Sequence, residues 1–182
     1  FDSLKKQALC HGDELISKNP SDINKNNELN MDLTAGNHID AGDLTVSYSR
    51  DYYYITYKTY GGWSIDEISL YLGPDGKVPV SSSNVPVSDL FPVKEILPPG
   101  AEIVILRIKN NKNVAGCPVI LANALVSRSG QSGETAWGHG NRTFKDYFDI
   151  PRWGFVIDDF CAGNYSTYHD LGKDKNDGDN AI

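Results

Sequence analysis

The sequence predicts an all-β fold, an antiparallel β-sandwich of two sheets, preceded by a short helical or irregular segment and followed by a disordered acidic tail. Three observations lead there. From Asp43 onward apolar and polar residues alternate in short runs, the period of a strand with one buried face. Turn-forming pairs such as Arg50-Asp51 and Gly61-Gly62 separate the runs. Apolar spacing at the 3.6-residue helical period is nearly absent, which leaves a sandwich as the architecture.

At 182 residues the chain is one domain of ordinary size, able to bury a core without metal or disulfide. Residues 1–33 are read as a polar segment, 34–168 as the sandwich and 169–182 as a flexible tail. Through Asn30 only Leu9, Leu15 and Ile16 offer apolar surface, so a short helix over 4–18 and a linker are expected. Leu44, Val46 and Tyr48 then share one face of a strand, and Tyr53, Ile55 and Tyr57 share one face of the next. A third strand over 65–72 turns Ile68, Leu70 and Leu72 one way and Glu67, Ser69 and Tyr71 the other. Residues 73–100 hold most of the chain's nine prolines and read as a long surface excursion. Strands resume over 101–109, 119–127, 147–150 and 155–160, and the tail after Tyr168 is hydrophilic enough to stay disordered.

A net charge of −7 and a pI near 5.0 argue against nucleic acid, which demands a basic stripe. No apolar run approaches the ~18 residues of a membrane-spanning helix. The first residue is Phe1 rather than Met, which is read as either a processed product that has lost a signal peptide or a trimmed chain, with secretion the expectation. Of the three cysteines, Cys10 and Cys161 lie in polar terminal segments and are expected to be bridged, while Cys117 opens an apolar run and is read as a buried thiol. Two sequons, Asn141-Arg142-Thr143 and Asn164-Tyr165-Ser166, are what chance supplies in a chain this rich in Asn, Ser and Thr.

The candidate ligand site is the stretch Gly133–Gly140, read as a loop that sets Glu134, Trp137 and His139 between glycines. A Trp face can stack on a sugar or another ring, and a carboxylate can fix its orientation. The structural alternative is that Trp137 caps the sandwich. Glu67 and Asn123 extend the candidate set, because a buried Asn must find a hydrogen-bond partner, be it side chain, water or ligand. Trp63 is a second stacking candidate. The tyrosines of residues 52–60 form a wall that either packs across strands or encloses an aromatic molecule. Acidic residues Asp40, Asp43, Asp66, Glu67, Asp158 and Asp159 are hard oxygen donors, but the tail misses calcium-loop spacing by one position. No His-x-x-x-His, nucleophile elbow, phosphate loop or dinucleotide fingerprint occurs.

The motif order resembles a group of secreted or surface-anchored β-sandwich proteins, mostly bacterial. The matching residues are Ala35-Gly36, Ile39-Asp40-Ala41-Gly42, Leu44-Thr45-Val46, Gly62-Trp63, Glu67 with Leu70-Tyr71-Leu72-Gly73, Phe91-Pro92, Ala122–Val126 and Glu134–Gly138. The resemblance implies a sandwich and export, and brings no catalytic activity with it. Ser69 and Asn123 stand where the group's pattern tends to show His, so any transition-metal site those histidines form is missing its ligands here.

The expectation is therefore an extracellular, non-catalytic binding protein, with carbohydrate the first ligand and Trp137, Glu134, Trp63, Glu67, Asn123 and His139 as site residues. A carrier of a small aromatic or apolar molecule such as a pigment is the alternative. A glycoside hydrolase using Glu67 and Glu134, or a structural adhesin, stands third. Cofactor and metal are left open.

Overall fold

The computed structural model describes residues 7–9, 28–36, 38–49, 51–110 and 117–161. The chain is all-β, as the alternation predicts. Among the described residues the strands are β1 (Gln7–Leu9), β2 (Glu28–Ala35), β3 (Ile39–Ser49), β4 (Tyr52–Thr59), β5 (Ser64–Gly73), β6 (Val93–Ile96), β7 (Ile103–Lys109), β8 (Val119–Arg128), β9 (Gln131–Gly138), β10 (Arg142–Thr143) and β11 (Phe155–Val156), with a short α-helix, α1 (Phe144–Phe148), and a 3-10 turn at Ser88–Leu90. Among the described residues the strands are not split between two large sheets. Nine form one sheet in the order β1-β7-β4-β3-β2-β9-β8-β5-β6, and β10-β11 form a small ribbon. All pairings are antiparallel except β1 with β7.

The large sheet curls on itself at the β2–β9 seam. There only Leu33–Ala35 pair with Ala136–Gly138, and a bulge between Leu33 and Thr34 bends β2. The curl carries β4 over β5, from which four strands separate it in the sheet order. The Tyr57 hydroxyl donates to the Ser69 carbonyl at 3.4 Å, and the Thr59 hydroxyl to the Trp63 carbonyl at 2.8 Å. The enclosed core holds Leu33, Leu44, Val46, Ile55, Tyr57, Ile65, Ile68, Leu70, Val104, Leu106, Ile120 and Val126. Each such side chain contributes about 1.5–3 kcal/mol of transfer free energy. A bulge between Ile65 and Glu67 keeps Ile65 on the same face as Ile68 and Leu70.

A second core covers the outer face of β5, β8 and β9. Tyr71, Leu121 and Trp137 lie under Phe91 from the long connection and Phe144, Phe148, Ile150 and Val156 from the C-terminal segment. Tyr71 donates to the Pro74 carbonyl at 2.6 Å, and the Asn84 amide to the Phe148 carbonyl at 2.7 Å, tying the proline-rich connection to α1.

Several elements differ from expectation. The stretch 133–138 is not a loop but part of β9, joined to β8 through the turn at Gly130, the glycine of this group with positive φ (82°). The other glycines serve close approach: a Cβ at Gly138 would collide with the Leu44 side chain, and one at Gly133 would sit 3.0 Å from Leu125. Residues expected as a strand over 147–150 belong partly to α1, whose start is capped by Thr143 accepting from the Asp146 N–H at 3.1 Å. Asp149 ends it in the left-handed region at φ 56°. Strand β2 begins inside the segment taken as a linker, and Gln7–Leu9 is a strand rather than part of a helix. The rest of 4–18 and the tail over 169–182 lie outside the described residues.

The disulfide also differs. Cys161 is bonded to Cys117, with Cα atoms 4.5 Å apart, so Cys117 is not a free thiol and Cys161 is not bridged to Cys10. The cause is local. Ile120 and Ile157 pair through two backbone hydrogen bonds of 2.8 and 2.9 Å, which brings the chain just before β8 against the chain just after β11.

Candidate binding groove

The structure separates the six expected site residues. Asn123 and Trp137 are cross-strand partners on β8 and β9, and Ser69 pairs with Asn123 from β5, so all three share the outer face. The Asn123 amide donates to the Ala136 carbonyl at 3.3 Å, which supplies the partner its burial demands. Glu67 lies one row away and is 3.1 Å from the Lys94 ammonium, which also meets Asp89 at 2.5 Å. Glu134 pairs with Val126, on the opposite face, and its Oε2 would be 3.2 Å from a Cβ at Gly36. Trp63 is 2% exposed in the inner core, with the Arg128 guanidinium 4.5 Å from its ring.

Trp137 itself is 6% exposed. Phe144 meets its ring edge-on at 4.9 Å and Phe91 at 6.4 Å, so the indole has no face to offer a ligand. It is the keystone of the second core, the structural alternative that the sequence left open.

His139 leads elsewhere. Just beyond β9, it stays exposed and stacks on Phe155, with ring centroids 3.8 Å apart and planes 17° from parallel. Its Nδ1 lies 3.3 Å from the Thr34 hydroxyl. Phe155 in turn meets Trp153 at 6.5 Å and 71°. Residues two apart in extended chain point the same way, so Trp153 and Phe155 both face outward while Gly154 and Val156 are buried. Gly154 must lack a side chain, because the Phe144 ring occupies the space a Cβ would take.

These aromatics border an open groove of about 320 Å³, lined by Thr143, Lys145, Ile150, Pro151, Arg152, Trp153, Gly154 and Phe155. Trp153 and Phe155 are half-buried, and Lys145 and Arg152 are exposed. Neither cation is paired with a carboxylate among the described residues.

The groove is built on the β10–β11 ribbon, and polar contacts at the surface hold that ribbon. The Arg142 guanidinium is 2.9 Å from the Asp158 carboxylate. The Asn141 side chain donates to Asp158 Oδ1 at 2.5 Å and accepts from the Asp158 N–H at 3.0 Å. Burial alone raises the pKa of the Asp158 carboxyl, but the Asn141 hydrogen bond and the Arg142 ion pair outweigh it and hold the group below the ordinary carboxylate range. Both polar atoms of the exposed Asn141 amide thus bond to Asp158, the side-chain nitrogen of the first sequon among them. Tyr147, under the Arg142 guanidinium at 5.0 Å, donates to the Asp75 carboxylate; burial first, then that bond, raise its pKa.

Of the acidic residues expected as cation ligands, Asp40, Asp43, Asp66, Glu67 and Asp158 take protein partners. The Tyr60 hydroxyl lies 3.1 Å from Asp43 and 3.4 Å from Asp40, and Ser127 donates to Asp66 at 3.1 Å. Among the described residues no cluster of three or more His, Cys, Asp or Glu has the geometry to hold a metal ion, and no helix is long and apolar enough to cross a membrane.

Sequence reasoning missed Trp153, Phe155, Arg152 and Lys145. The signal was present as Trp153-Gly154-Phe155, a period-2 aromatic pair after Pro151-Arg152. Comparison with protein-family models, with curated proteins and with solved structures found no match to this chain, so what the groove holds is read from its own chemistry.

Proposed function

We propose that the protein is an extracellular, non-catalytic binding protein whose ligand, carbohydrate first, lies in the groove beside Trp153 and Phe155. The observation that carries this reading is the half-buried Trp153–Phe155 pair at an open groove. Flat aromatic surface with one side accessible suits the apolar face of a sugar ring, and its few rotatable bonds make it cheap to order. His139, stacked on one face of Phe155, helps to fix that ring.

Three further features support the reading. An open groove fits a ring laid on a surface better than an apolar carrier cargo, which calls for enclosure. Glu67 and Glu134 project from opposite faces of the sheet, which disfavours the paired-carboxylate hydrolase. The Cys117–Cys161 disulfide is compatible with an oxidising compartment and supports export.

The test is a glycan array probed with wild-type protein and Trp153→Ala. The reading expects wild-type signal on at least one glycan class and its loss, by on the order of a hundredfold in affinity, in the variant. Equal binding by both proteins would overturn it.

A further inference from the structure

Resting on that binding site, we infer that the ligand is an acidic carbohydrate, one carrying a carboxylate or sulfate on the ring that stacks at Trp153. The groove's charge is the basis. Its lining contains two cations, Lys145 from α1 and Arg152 beside Trp153, and no carboxylate. Asp146 and Asp149, close by in sequence, do not line it. In a chain of net charge −7 this is a local reversal of sign. Asp158, the carboxylate nearest the ribbon's other edge, is already engaged by Arg142 and Asn141.

A neutral sugar has no use for two unpaired cations at its binding face. A ring bearing an anionic group does. With the ring flat against Trp153, its equatorial substituents point along the groove floor, where a guanidinium can take a carboxylate or sulfate with two parallel hydrogen bonds. An ammonium acts at the same site as a point charge, tolerant of how the anion is turned. The division of labour is stacking for the ring and Arg152 with Lys145 for the acid. A charge-assisted hydrogen bond of this kind gives about a tenfold preference over the neutral analogue. Because both cations are exposed, the preference weakens as salt rises.

Matched pairs of probes test this: sialyllactose against lactose, oligogalacturonate against its methyl ester, and a sulfated against an unsulfated galactose oligomer. Each is titrated calorimetrically into wild type, Arg152→Gln/Lys145→Gln and Trp153→Ala, at low and at physiological salt. The inference expects the acidic member of at least one pair to bind about tenfold tighter at low salt. It expects the double variant to bring that affinity down to about that of the neutral member. Equal affinity within every pair, still dependent on Trp153, would overturn the acidic preference and leave the sugar-binding groove standing. A preference that persists in the double variant would likewise overturn it. Binding of no member of any pair would count against the groove as a sugar site, and the acidic preference would go with it.

Discussion

Replacing Trp137 by alanine removes an indole that is 6% exposed and wedged between Phe144 at 4.9 Å and Phe91 at 6.4 Å. A buried Trp side chain takes roughly 150–250 Å² out of water, which at about 25 cal/mol per Å² is about 4–6 kcal/mol. The two edge-on ring contacts add roughly 0.5–1.5 kcal/mol each, while partial collapse of the cavity returns some of the loss. Measured costs for such truncations centre on about 3–5 kcal/mol. In a chain of this length each kcal/mol moves Tm by about 2–4 °C, so Trp137→Ala should lower Tm by roughly 6–20 °C. A far-UV circular dichroism melt measures this, with loss of near-UV aromatic signal as a second readout. Trp153→Ala, by contrast, should move Tm by less than about 3 °C, since its ring is only half-buried. A Trp137→Ala protein melting within about 3 °C of wild type would refute the placement of this residue at the centre of the second core.

Two other outcomes are expected. Non-reducing peptide mapping should find Cys117 joined to Cys161; for a sequence separation of 44 the chain-entropy relation gives about 4 kcal/mol, so Cys117→Ser/Cys161→Ser should melt far below wild type, and recovery of a Cys10–Cys161 peptide would contradict the pairing. Asp158 has a pKa held below its unfolded value, so its contribution is complete above the ordinary carboxylate range and is lost as pH falls through the lowered value. Asp158→Asn should therefore flatten the acid limb of a stability-against-pH curve around the β10–β11 ribbon, and an acid limb identical to wild type would count against the Arg142–Asp158 brace.

The strands that were legible in the sequence are those whose alternation is strong. Leu44, Val46 and Tyr48 pair with Tyr57, Ile55 and Tyr53, and Ile68 and Leu70 face inward while Tyr71 faces out, as their spacing predicts. Strand β2 carries the same signal in Leu29, Met31, Leu33 and Ala35, but its Asn-rich surroundings disguise it as a linker. Strand β9 was hidden because Gly133 and Gly138 are small to admit Leu125 and Leu44, not to bend the chain. Five residues of α1 are too few to display a helical period. Trp137 reads differently in the fold for a related reason. A Trp between glycines looks available in one dimension, and only the fold reveals that two phenylalanines from distant segments close over it. His139 was the one expected residue whose ring still borders the half-buried aromatic pair, and it points to Phe155 and Trp153.

The chain's three tryptophans divide cleanly between two cores and one groove, and their indole N–H resonances give the most direct test of where the ligand sits. With the signals assigned by single Trp→Phe variants, a glycan that binds on the array is titrated into labelled protein and followed by two-dimensional NMR. The Trp153 indole should shift strongly while those of Trp63 and Trp137 stay in place. A Trp137 indole that moves while Trp153 does not would contradict the assignment of the groove as the binding site.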